Sequence, residues 1–151
     1  MLLAANLAPS WKNSQTPRFY VATGEKSKNA VREALPEFNR KNSENASAYI
    51  VTTVVLNRSG FDKDGTAVTE IGNGWGYYDL GLNNMALLLK ATELGISTLV
   101  MGIRDGEKLR KEFDIPETEA VVSVIAVGYT DSEIVRPKRK SVEDFAKFYE
   151  E

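Results

Sequence analysis

Apolar residues along this chain fall into short blocks separated by polar and glycine-containing stretches. Leu2 to Ala8 is a small apolar block with Pro9 behind it, and proline stops a helix because it has no N–H and its ring crowds the preceding turn. Arg18-Phe19-Tyr20-Val21-Ala22-Thr23 is aromatic and β-branched and predicts a strand, closed by Gly24. Ala30, Val31, Ala34, Leu35 and Phe38 recur at helical spacing and predict one helix over 28–38 with a single apolar face. Tyr49-Ile50-Val51-Thr52-Thr53-Val54-Val55-Leu56 is nearly continuous and β-branched. Such a run predicts a central strand covered on both faces.

The second half repeats the pattern with a long interruption first. Asn57 to Gly76 holds five glycines among polar and charged residues and predicts an extended loop able to cover a pocket. Tyr77 to Leu94 predicts the longest helix, and Leu80, Leu82, Met85, Leu87, Leu88, Leu89, Ala91 and Leu94 go nearly all the way round it. A chain of 151 residues has little material to bury a helix on every side, so part of this surface is expected to face a second subunit. Thr98 to Met101 predicts a short strand, Glu107 to Phe113 a helix, and Val121 to Gly128 a last central strand. Strands and helices are mixed without a regular βαβ rhythm. The fold class expected is therefore α+β, a single domain over 1–151 with a sheet flanked by helices.

Composition narrows the chemistry. With 19 basic and 21 acidic residues mixed along the chain and a formal charge of −2, no field favours nucleic acid or a membrane surface. Leu2 to Ala8 is too short for a signal-peptide core or a membrane span, so a cytoplasmic protein is expected. The chain has no cysteine and no histidine. A thiol nucleophile, a thiolate metal site and the commonest metal ligand and general base are thereby removed. No nucleophile elbow, phosphate loop or dinucleotide fingerprint appears either. These absences favour a bound organic cofactor over side-chain catalysis.

Four segments carry groups suited to holding one. Pro9-Ser10-Trp11-Lys12-Asn13-Ser14-Gln15 offers hydroxyl and amide groups for a polar ring edge, or serves only to turn the chain. Asn39 follows the predicted 28–38 helix, either as a ligand contact or as a cap facing water. Val100-Met101-Gly102-Ile103 ends a strand with a glycine, which lets a planar group approach the backbone. Arg136, Lys138, Arg139 and Lys140 form a dense cation cluster, suited to a phosphate or simply a solvated tail.

In order and spacing these segments resemble the nitroreductase family of FMN enzymes. The matching pieces are the Pro-Ser-x-x-Asn-x-Gln loop before a strand, the helix from Asp79-Leu80-Gly81-Leu82-Asn83-Asn84-Met85 to Glu93-Leu94-Gly95-Ile96, the Met101-Gly102-Ile103 turn, and the tail Arg136-Pro137-Lys138-Arg139-Lys140. The resemblance implies a central mixed or antiparallel sheet, with the long helix at the centre of a homodimer. It implies FMN held by Pro9, Ser10, Trp11, Asn13 and Gln15 of one chain and by Asn39, Val100, Met101, Gly102, Ile103, Lys138, Arg139 and Lys140 of the other. The activity implied is electron transfer from NAD(P)H to a nitro, quinone or similar small acceptor, with flavin N5 and no protein side chain carrying the chemistry.

Two departures stand out. Thr16-Pro17 intervenes where family members have Pro-Trp after the glutamine. No segment matches the Arg-Arg-Ser-x-Arg helix with which the family usually begins and which holds half of the FMN phosphate. The chain begins, on that comparison, inside the second helix of the family fold, so flavin binding by these 151 residues is expected to be weak and salt-sensitive. A non-catalytic or flavin-binding remnant dimer, and a flavin-consuming or dehalogenating enzyme of the same fold, are the alternatives.

Overall fold

The computed structural model describes residues 1–133 and 135–149. Its centre is a four-stranded antiparallel sheet in the order β1-β2-β4-β3. The strands are β1 (Pro17–Ala22), β2 (Ala48–Val55), β3 (Ser97–Met101) and β4 (Glu119–Gly128). The helices are α1 (Leu2–Asn6), α2 (Glu25–Glu33), α3 (Glu37–Asn42), α4 (Gly74–Glu93), α5 (Gly106–Glu112) and α6 (Val142–Phe145). The two most apolar runs, β2 and β4, take the centre, paired Ile50 to Ile125 and Val51 to Val124. The shorter and more polar β1 and β3 are left at the edges.

Alternation along the strands sorts side chains onto two faces. One face carries Tyr49, Val51, Val124, Ala126 and Met101, packed under Val31, Ala34, Leu35 and Leu109 of the α2 and α5 side. The other carries Ile50 and Ile125 under Leu87 of α4 and Ala5 of α1. A register shift between Thr52 and Thr53 lets the buried Thr53 hydroxyl donate to the carboxylate of Glu119, which also accepts from the Tyr20 hydroxyl at 2.9 Å.

One expectation needs correction. The helix expected over 28–38 is two helices, α2 and α3, broken at Ala34 to Pro36. Pro36 supplies the cause, since its ring drives Leu35 out of the helical region and it has no N–H for the preceding turn. The apolar surface of α4 is only partly covered within one chain, as its all-round pattern predicts. Leu80, Leu87 and Ala91 point into the core, whereas Tyr78, Met85 and Leu89 are 60%, 54% and 64% exposed. The 57–76 segment is extended as expected, with an isolated bridge between Phe61 and Ala67, and gives way to α4 at Gly74. Among the described residues no helix is long and apolar enough to cross a membrane.

The Tyr20–Glu119 pair makes alkaline behaviour predictable. Burial, the hydrogen bond to the Glu119 carboxylate and that carboxylate's negative charge push the Tyr20 hydroxyl from 10.0 up to about 12. A folded-state value above the unfolded one contributes stability that is intact below pH 10 and is lost as pH rises from 10 towards 12. In an ultraviolet titration Tyr20 is expected to ionise near pH 12, and Tyr20→Phe to remove a step there. A single step common to parent and variant would refute the assignment.

Candidate functional site

Two of the predicted segments meet. Gly102 and Ile103 follow directly on β3, and the carbonyl of Ile103 accepts a hydrogen bond from Asn39 Nδ2 on α3 at 3.0 Å. Asn39 is thus neither a cap nor a free surface amide. The turn is anchored on its far side as well: the Asp105 N–H donates to the Ala34 carbonyl at 2.7 Å, and the Arg104 guanidinium donates to the carbonyl of Val121. Val100 and Ile103 are exposed, Ile103 at 75%. Met101 is buried in the core, so the open face of this turn belongs to Gly102 and Ile103.

Gly102 has no role in the chain's own packing. A Cβ added there would meet nothing within 4 Å, and its backbone is not among those with positive φ. The absent side chain leaves an open, exposed backbone edge beside Asn39, suited to the approach of a flat group. That edge lies at the end of the β3 margin of the sheet.

The other predicted segment is elsewhere. Residues 10–15 precede β1, on the opposite sheet edge, so three strand spacings, about 14 Å, separate the two margins. The loop is a short helical turn over Trp11–Asn13 in which Lys12, Asn13 and Gln15 have φ of 45°, 55° and 48°. Left-handed backbone is uncommon for residues other than glycine, and three in four positions need support from outside. Ser10 Oγ accepts from the Gln15 N–H at 3.0 Å, which closes the loop while leaving the hydroxyl proton free to donate. The Trp11 N–H donates to both carboxylate oxygens of Asp79, each at 3.1 Å, and the Trp11 ring packs on Trp75, tilted by 44° with centroids 4.7 Å apart. Asn13 and Gln15 are exposed, as is Pro9.

A cavity of about 420 Å³ lies beside this loop, lined in part by Asn6, Ser10, Gln15, Arg18, Phe19 and Asn83. Arg18 donates to the carbonyls of Gln15 and Pro17, both at 2.8 Å. The basic cluster lies at the surface: Arg136, Lys138, Arg139 and Lys140 are exposed, and Arg139 donates to the carbonyl of Pro137 at 3.3 Å. After it, α6 opens with a capping box in which Ser141 and Asp144 bond each other's backbone N–H groups.

Sequence reasoning missed the residues that hold these segments: Asp79, Ser59, Arg104 and Asp105. For Asp79 a signal was present, a lone carboxylate within an apolar helical run. Only the fold reveals that it points inward, where it is 2% exposed.

The model of the nitroreductase family matches residues 1–129, ending before the basic cluster. No curated protein matches the chain. Among solved structures, a nitroreductase family protein from Streptococcus pneumoniae is 21% identical, with a TM-score of 0.80 over 98% of this chain and 86% of that one. An oxidoreductase containing FMN is 25% identical, with a TM-score of 0.73 over 87% of this chain and 64% of that one. An enone reductase of gut-bacterial fatty acid saturation is 20% identical, with a TM-score of 0.83 over 97% of this chain and 83% of that one. Because the matched residues take in all four strands and both the Ser10 loop and the Gly102 turn, the chain belongs to the nitroreductase family, whose members bind FMN.

Proposed function

We propose that this protein is an FMN-dependent oxidoreductase that works as a homodimer, taking electrons from NAD(P)H and passing them to a nitro, quinone or similar small acceptor. The observation that carries the reading is the placement of an exposed glycine edge and Asn39 at one sheet margin and a polar, left-handed loop at the other. Neither half encloses a ligand alone. Two copies joined through the exposed face of α4 can bring the Ser10 loop of one chain to the Gly102 turn of the other, making two equivalent sites.

In that assembly the backbone at Met101, Gly102 and Ile103, with Val100, would hold the ring of FMN. Asn39 keeps its carbonyl oxygen for the ring edge while its Nδ2 fixes the turn. Ser10 and Asn13 donate from the partner chain, Trp11 covers the ring, and Pro9 and Gln15 shape the loop. Bound FMN supplies a two-electron acceptor and donor, so a chain with no histidine and no cysteine can still support redox chemistry. Lys138 and Lys140 neutralise the phosphate, assisted by Arg139. The exposed 57–76 segment borders the acceptor side. The acceptor preference shared with nitroreductases and with the enone reductase is for electron-poor π systems, which a flat exposed flavin can meet face to face.

The test compares FMN with riboflavin, which lacks the phosphate. Charge-assisted contacts contribute about 1.5–3 kcal/mol each before screening, and solvent exposure of the cluster cuts that sharply. FMN is therefore expected to bind about tenfold more tightly than riboflavin in low salt, with the preference shrinking as salt is raised. Replacing Lys138 and Lys140 together by Ala should erase it. Equal affinity for the two flavins in the parent would return the cluster to a solvated tail. Failure of the flavin-loaded dimer to oxidise NADH or NADPH with a quinone present would overturn the enzymatic reading.

A further inference from the structure

The geometry points to Asp79 as the positioning residue of the candidate site: its buried carboxylate holds the Ser10–Gln15 loop in the left-handed form that presents Ser10, Trp11 and Asn13 to the flavin ring. The inference rests on the flavin reading above for what the loop does, and on the structure alone for what Asp79 does to the loop.

Asp79 sits in the second turn of α4, and on the inward side of that helix it is the only acidic residue. Its carboxylate accepts the Trp11 N–H on both oxygens and the hydroxyl of Ser59 on one. Ser59 is itself 1% exposed and belongs to the 57–76 segment. One carboxylate thus joins three separate pieces of chain: the loop, the central helix and the start of the glycine-rich excursion. A buried charge with charge-assisted partners on two sides is costly to misplace, which makes it a rigid anchor.

Other ties between the loop and the body are weaker. Lys12 pairs with Asp62 at 3.3 Å, but both side chains are well exposed and such a pair is screened by solvent. Arg18 of β1 donates to the Gln15 carbonyl at 2.8 Å, but that tie holds only the end of the loop where it runs into the strand and its guanidinium is exposed. The bonds Asn13 N–H to the Ser10 carbonyl, Ser14 N–H to the Trp11 carbonyl and Gln15 N–H to Ser10 Oγ are internal and shape the loop without fixing it to the protein. The tilted Trp11–Trp75 contact packs one side of it. Three residues with positive φ will relax to ordinary backbone once the anchor is loosened, and relaxation turns the side chains of Asn13 and Gln15 to new directions. Asp79 does not touch the exposed face of the loop, so its effect on a ligand there passes through Trp11.

The experiment is hydrogen exchange on the intact protein together with flavin titration, for the parent and Asp79→Asn. In the variant an amide nitrogen replaces one acceptor oxygen, so backbone amides of Trp11 to Gln15 are expected to exchange at least about tenfold faster while those of β2 are unchanged. FMN and riboflavin should weaken together, about tenfold each, with their ratio preserved, because the loop faces the ring shared by both. Loss of the phosphate cations changes that ratio instead, and a generally destabilised fold changes β2 exchange.

Unchanged exchange at residues 11–15, or faster exchange with both flavin affinities intact, overturns the proposal. A parent that binds neither flavin overturns the flavin reading; the exchange result then still decides whether Asp79 holds the loop. Should β2 also exchange faster in Asp79→Asn, the variant to read is Ser59→Ala, which removes only the hydroxyl that orients the carboxylate. The same order of effects at smaller size supports the anchor, and no effect at residues 11–15 overturns it.

Discussion

Leu89→Glu is expected to turn the proposed dimer into a folded monomer that no longer retains FMN. Tyr78, Leu82, Met85 and Leu89 are spaced four, three and four residues apart, so they form one stripe along α4. Leu82 is half-buried, and the other three are among the most exposed large side chains of the helix. The core uses the opposite stripe, Leu80, Asn83, Leu87 and Ala91. In a single chain a carboxylate at position 89 points into water and costs the fold little. Across a two-fold interface it is buried against apolar groups without a partner, which costs several kcal/mol. At about 1.4 kcal/mol per factor of ten, the dimer dissociation constant should rise a hundredfold or more.

Sedimentation or light scattering at micromolar concentration reads the assembly, and flavin absorbance reads the site. A variant that stays dimeric would move the interface away from this stripe. A monomer that keeps its flavin would show the site to be complete within one chain. Leu88 is the informative contrast, because it packs against the Ile50, Leu87 and Ile125 cluster within the chain. Leu88→Glu should therefore lower the melting temperature of the monomer itself, whereas Leu89→Glu should lower it only by what dimerisation contributes, an amount that shrinks as protein concentration falls.

The second large effect concerns Gly60, where a methyl group has no room. Its φ is +85°, and an added Cβ would lie 2.6 Å from the carbonyl oxygen of Gly72 and 2.7 Å from Trp75 Cδ1. Gly60→Ala therefore combines a left-handed backbone, costing about 1–2 kcal/mol, with overpacking against a backbone atom and an indole, about 1–3 kcal/mol more. For a chain of this length a loss of about 3 kcal/mol lowers the melting temperature by roughly 10 °C. Gly65 supplies the control, since its φ of +84° is nearly the same but nothing lies within 4 Å of a Cβ. Gly65→Ala should show the backbone cost alone. Equal melting temperatures for the two variants would mean that Trp75 and the Gly72 carbonyl shift freely to make room. The Gly60 variant should also disturb the tilted Trp75–Trp11 contact, readable in near-ultraviolet circular dichroism.

Much of the fold was legible because its signals are local. The continuous run at Tyr49 to Leu56 and the run at Val121 to Gly128 marked central strands, and β2 and β4 occupy the centre. The period in 77–94 marked the long helix, and its surplus of apolar residues marked an unpaired stripe. Pro36 stands within the 28–38 run, and the apolar spacing taken without it predicts one helix where two exist. The resemblance supplied the site segments in order. The distance between them was not in the sequence.

The sequence by itself determined which segments become strands and helices, because backbone sterics and side-chain period act over a few residues. It also determined the chemical limits, since a chain without histidine or cysteine has to borrow its redox group. The tertiary structure alone decided that Asn39 meets Ile103, that Asp79 turns inward to Trp11 and Ser59, and that the two predicted halves of the site lie on opposite margins of the sheet. Those outcomes depend on which strands pair and which helix face is buried. Pairing and burial are settled by the whole core at once, through contacts between residues tens of positions apart, and no local pattern encodes them.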